Sequence, residues 1–117
     1  MDIQGLQEVA EAAATRLPSV TLEHRVNPKW DVYKVHGKVF MLMTDMPGRP
    51  VVILKADPND AVILRQQHPD ITAGYHMNKT HWITAAGGPS LDETLVRELV
   101  AESYRLVAAK LPKSLTR

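Results

Sequence analysis

Between Asp31 and Lys55 three apolar runs are separated by only a few residues each. Parallel neighbours need a crossover of a dozen or more residues, so consecutive strands this close must pair antiparallel. Residues 31–35 and 39–44 flank His36-Gly37-Lys38, where Gly37 accepts a positive φ without steric cost and closes a tight hairpin. Val39-Phe40-Met41-Leu42-Met43 is apolar without alternation, as a central strand buried on both faces would be. Asp45-Met46-Pro47-Gly48-Arg49-Pro50 then reads as a loop. Val51-Val52-Ile53-Leu54-Lys55 reads as a third strand by its β-branched content.

The flanking segments supply helices to cover such a sheet. In residues 2–16, Ile3, Leu6, Val9, Ala10, Ala13 and Leu17 fall on one helical face, and Pro18 and Ser19 stop the helix. Asp57 is placed to cap a second helix, with Pro58 at its first position, Asp60 near the positive end of its dipole and Pro69 at its end. Ser90-Leu91-Asp92-Glu93 has the spacing of a capping box with Ser90 as the cap. Leu91, Leu95, Val96, Leu99, Val100, Ser103, Leu106 and Val107 continue that helix toward Leu111, and Pro112 bars continuation. Residues 21–26 fit a short edge strand and Asn27-Pro28 a turn. Residues 70–81 fit irregular chain or a weak strand, and residues 82–86 a short strand ended by Gly87-Gly88-Pro89. The expectation is an α+β chain forming one domain over residues 1–117, with an antiparallel sheet and helices mainly on one side.

Composition narrows the function classes. With no cysteine there is no disulfide, thiolate metal site or cysteine nucleophile. No apolar run approaches the roughly 20 residues of a membrane-spanning helix, and the N-terminus lacks signal-peptide features, so the expected location is cytoplasmic. Net charge is +1, but unevenly spread. Residues 24–86 hold eight lysines and arginines against five acids, together with all five histidines, a mildly basic stretch that fits either an ordinary solvated surface or a face toward an anion such as DNA.

Phosphate-loop, dinucleotide, nucleophile-elbow and zinc-helix motifs are all absent. His76 and His81 share no helix or strand face, and Asp57 and Asp60 are accounted for by the helix start, so neither a metal site nor a cofactor nor catalysis is expected. Met41, Met43 and Met46 read as packing residues. The densest polar cluster is Tyr75-His76-Met77-Asn78-Lys79-Thr80-His81-Trp82. A lysine among rings suits a phosphate and a stacked base. A purely structural role is a loop pinned by Asn78, with Trp82 buried against a helix.

This cluster resembles the Leu-Asn-Lys-x-His-Trp motif of the MmcQ/YjbR-like family of small bacterial proteins, with Met77 in place of the usual Leu. Val35-His36-Gly37-Lys38-Val39-Phe40 is similar to that family's Val-x-Gly-Lys-x-Phe hairpin. Val52-Ile53-Leu54-Lys55 before Asp57-Pro58 is similar to its strand-to-helix junction, and Ser103-Tyr104 to a pair in its last helix. Val26-Asn27 departs from the family's usual Phe-Gly. The resemblance covers about residues 15–111. It implies a two-layer secretion-chaperone-like fold in the order α-β(3)-α-β(2)-α, with five antiparallel strands, one of them within residues 71–76, and a double-wing mode of DNA binding.

The leading expectation is therefore a bacterial DNA-binding protein without catalysis. Lys34, Lys38, Arg49 and Lys79 would contact phosphates, and Asn78 and Trp82 would form a structural motif. The alternative is a protein-interaction module that receives a partner segment on an exposed sheet face or edge.

Overall fold

The computed structural model describes residues 3–26, 29–46 and 49–112. Helix α1 (Ile3–Thr15) leads into four strands, β1 (Val20–Val26), β2 (Lys29–Val35), β3 (Lys38–Met46) and β4 (Arg49–Lys55). Helix α2 (Pro58–Gln67), strands β5 (Ile71–Ala73) and β6 (Trp82–Ala86) and helix α3 (Glu93–Ala108) follow. One antiparallel sheet has the order β1-β2-β3-β4-β6-β5. It has six strands where five were expected. The strand beyond the five-strand order that the resemblance implies is β1, the edge strand that residues 21–26 fit; it pairs with β2 from Val20↔Val35 to Val26↔Lys29. As an edge strand it gives Val20 and Leu22 to the core, while Glu23, His24 and Arg25 are exposed, so its sequence carries little strand pattern. Of the loop expected over residues 45–50, Asp45 and Met46 belong to β3 and Arg49 and Pro50 to β4, because the two strands pair to their ends (Met46↔Arg49). Residues 47 and 48, like the turn expected at Asn27-Pro28, lie outside the described residues.

The β2–β3 hairpin turns through His36 (φ 46°) and Gly37 (φ 80°). Two consecutive positive φ values match the right-handed twist of the flanking strands. At α2, Asp57 accepts a hydrogen bond from the Asn59 amide at 3.0 Å, and Pro58 occupies the first turn. Helix α3 corrects the expected capping box. Its cap is Asp92, which accepts from the Leu95 amide at 2.8 Å. Ser90 is engaged elsewhere: its amide (3.0 Å) and hydroxyl (2.7 Å) both donate to the Asp70 carboxylate. That tie at the start of β5 delays the helix, and Leu91 enters the core just ahead of it.

The sheet has two faces with different covers. Leu6, Ala10 and Ala14 of α1 and Val96, Leu99, Val100, Ser103 and Val107 of α3 are buried on the helical face, with Tyr33, Val35, Met41, Met43, Val52, Leu54, Ile83 and Ala85 from the strands. A bulge adjusts β3 to this layer. Tyr33 faces Met41 but Lys34 faces Val39, so Phe40 is an extra residue, and both Phe40 and Met41 join the helical core. Ser103, fully buried on α3, stitches the irregularity: its hydroxyl donates to the Phe40 carbonyl at 2.5 Å and accepts from the Lys55 amide at 2.8 Å. The far face carries Val51, Ile53, Trp82 and Ala86, packed by Trp30, Val39 and Leu42 and by Tyr75 and Met77 from the β5–β6 connection. Trp82 is buried there, among strand and loop residues, and not against a helix as expected.

Candidate nucleic-acid interface

The β5–β6 connection, residues 74–81, is fixed at both ends before it presents any side chain. The Gly74 amide donates to the Trp82 carbonyl at 2.9 Å, and a Cβ on Gly74 would stand 2.6 Å from the Trp82 Cβ, so no larger residue fits. The buried Thr84 hydroxyl accepts from the Tyr75 amide at 2.8 Å and donates to the Ala73 carbonyl at 3.0 Å. The Asn78 side-chain oxygen accepts from the Thr80 and His81 amides at 2.8 and 3.0 Å, while its carbonyl accepts from the Trp82 amide at 3.1 Å. Asparagine suits this because a short side-chain oxygen mimics a backbone turn.

Held in this way, the connection brings two rings to a third on β2. Tyr75 stacks on Trp30 with centroids 6.2 Å apart and planes 19° apart. His76, at φ 59°, sets its ring 5.9 Å from Trp30 and 4.1 Å from Tyr75. Trp30 and Tyr75 are half-buried and His76 is exposed. Arg25 stands directly opposite Trp30 in the β1–β2 ladder. Glu23 lies between two cations, 2.7 Å from the Lys34 ammonium and 3.2 Å from Arg25. Its hydrogen bonds to Lys34 and then Arg25 hold its carboxyl below the ordinary range.

The expected phosphate contacts do not converge. Lys34 is half-buried and paired with Glu23. Lys79 donates to the Gly74 carbonyl. Arg49 donates to the Gly87 carbonyl at 3.2 Å and lies 3.7 Å from Asp70. Lys38 is exposed beside the hairpin, at the end of β3 opposite to the one that pairs with Arg49. At about 3.3 Å per residue the two are roughly 26 Å apart along the ladder. Sequence reasoning singled out Tyr75 and His76 but not Trp30, because no local spacing links β2 to residues 75–76. Among the described residues no group of three or more histidine or carboxylate side chains could hold a metal ion, and no helix is long and apolar enough to cross a membrane.

A family model described as YjbR matches residues 15–106. The chain belongs to the YjbR family. YjbR-family relatives include YbdF of Escherichia coli O157:H7, 42% identical over 113 residues, which span 97% of this chain and 93% of that protein. YjbR of Escherichia coli K12 is 36% identical over 93 residues, 78% of this chain and 79% of that one. Two crystal structures are similar to the YjbR-family chain. Deinococcus radiodurans protein DR2400, with domain DUF419, superposes with a TM-score of 0.80 at 29% identity, over 97% of this chain and 84% of that one. A Pseudomonas syringae protein superposes with a TM-score of 0.72 at 26% identity, over 86% and 96%.

Proposed function

We propose that this chain binds DNA weakly, through the far face of its sheet, with Trp30, Tyr75 and His76 as a stacking surface and Arg25, Lys34 and Lys79 beside it. The observation that carries this reading is the ring cluster, three aromatic groups within 6.2 Å on the side of the sheet that the helices leave free. Stacking is tolerant of sequence because every base has a π-face, and each base stacked contributes about 1–3 kcal/mol. Glu23 offsets one of the two cations next to it, which limits the electrostatic contribution and favours an extruded single strand over a duplex. Lys38 stands opposite Val35, a residue of the helical face, and lies off this path, and Arg49 is engaged with Gly87 and Asp70.

The test is fluorescence anisotropy with labelled single-stranded and duplex oligonucleotides across a salt series. Single strands are expected to bind more tightly, with a log–log salt slope of about −2 for three phosphate contacts. Trp30→Ala is expected to weaken binding by about tenfold or more. No binding at low salt, or binding indifferent to Trp30, ends this reading. A protein partner that adds a strand to the outer edge of β1 would then take its place. Against that alternative stand Glu23 and Arg25, exposed charges of the kind that protect edges from strand addition.

A further inference from the structure

We propose that a pocket where the sheet meets the end of α3 binds a small organic phosphate, its dianionic head among Lys38, Lys55 and Lys110 and its apolar body against Val39, Val107 and Leu111. The site is separate from the ring cluster and does not depend on the DNA reading. Its volume is about 330 Å³, inside the range of roughly 300–1,000 Å³ typical of small-molecule sites. Among the described residues its lining is three cations and three apolar side chains, without a carboxylate.

Three lysines on long, adaptable stems would ordinarily splay into water or seek acids. Here they come from three different places, the start of β3, the end of β4 and the turn after α3, and line one concavity. Lys55 and Lys110 line the pocket together, so their ammoniums are like-charged neighbours. Burial and this neighbour hold Lys55 below the ordinary lysine range. Lys55 also lines the adjoining groove between α2 and α3, together with Asp57, Asp60, Glu98 and Glu102. Among the described residues, however, no carboxylate lies within ion-pair distance of any of the three lysines. The negative end of the α3 dipole accounts for Lys110 alone. It does not account for Lys38 and Lys55 at strand ends.

The backbone beneath is held at two points. The Lys55 amide is held by the buried Ser103 hydroxyl, and the Lys110 amide donates to the Val107 carbonyl at 3.2 Å. Converging ammoniums act as point charges, which suits the diffuse charge of a phosphate dianion. A single carboxylate would leave them under-neutralised. The apolar wall distinguishes an organic phosphate from the bare ion.

The test is calorimetric titration at low ionic strength with phenyl phosphate and with inorganic phosphate. Phenyl phosphate is expected to saturate one site, about tenfold more tightly than inorganic phosphate, which lacks a body to bury. Lys55→Gln and Lys110→Gln are each expected to weaken it by about tenfold. Both variants should keep the single-strand binding proposed above, and Trp30→Ala should keep phenyl phosphate binding, so the two readings fail separately. Displacement of phenyl phosphate by an oligonucleotide without terminal phosphates would assign the pocket to the DNA backbone and overturn the small-ligand assignment. Failure to saturate by about 10 mM, or equal binding to wild type and both lysine variants, would overturn it as well.

Discussion

Single residues in this fold are held by partners far away in the chain, and that decides how each responds to substitution. The Tyr33 hydroxyl is fully buried and, among the described residues, has no hydrogen-bond partner. Burial, then Glu11 and Asp31, push its ionisation upward, so it stays neutral. An unsatisfied buried hydroxyl costs about 1–3 kcal/mol. Tyr33→Phe is therefore expected to raise stability by about 1 kcal/mol in a urea melt, and a loss of stability would mean that the hydroxyl has a partner. Asp70 is the opposite case. The Ser90 hydroxyl and amide, with Arg49 nearby, hold its carboxyl below the ordinary 3.8. A depressed acid contributes stability above its unfolded value and loses it as pH falls through its folded value. Asp70→Asn is expected to destabilise the protein at pH 7 by a margin that shrinks once the pH drops below the 3.8 range. Urea melts at several pH values check this. Gly88 belongs to the same arrangement, since a Cβ there would collide with the Asp70 carboxylate. None of this was legible locally. Ser90-x-x-Glu93 spells a capping box, but the competing acceptor lies twenty residues upstream, and a carboxylate that takes both the hydroxyl and the amide outweighs a helix end.

At the level of elements, turn and cap chemistry was readable and tertiary pairing was not. Gly37 announces the hairpin because its conformation is a local requirement, and Asp57-Pro58 announces α2 for the same reason. The edge strand β1 and the three-residue β5 owe their strand state to a neighbour, so periodicity says little about them. Trp30 escaped notice as a site residue because its partners come from another hairpin. Helix α3 followed its stripe, and Leu99 is buried at its centre. Leu99→Ala is expected to cost about 2–5 kcal/mol, read from a thermal or urea melt. Ser103 looks like a weak member of that stripe, yet it bridges the Phe40 carbonyl at the bulge and the Lys55 amide at the end of β4. Ser103→Ala would strand a carbonyl and an amide together, with an expected loss of about 2 kcal/mol or more. A loss equal to that of an exposed alanine substitution would show that the bulge satisfies its own backbone.

At the scale of the whole molecule, the two ends of the chain close one layer. Helices α1 and α3 lie against each other and against β3 and β4. Gln7 reaches from α1 to the Thr44 and Val51 carbonyls at 3.1 and 3.2 Å. Leu6, Ala10 and Ala14 are fully buried. Removing residues 1–15 would expose a broad strip of the sheet, and the truncated chain is expected to lose its cooperative thermal transition by circular dichroism. A retained sharp transition would mean that α3 alone covers the sheet. The arrangement of aromatic residues has a separate experimental consequence. Both tryptophans of the chain, Trp30 and Trp82, sit on the far face, whereas Tyr33, Phe40 and Tyr104 sit with the helices. Indole emission is therefore a reporter of one side of the sheet only, and backbone ellipticity of the entire fold. If residues 74–81 detach before the rest of the molecule unfolds, the two signals will part company along a denaturant series. Coincident curves would mean instead that the ring-bearing connection is welded to the same cooperative unit as the helical core.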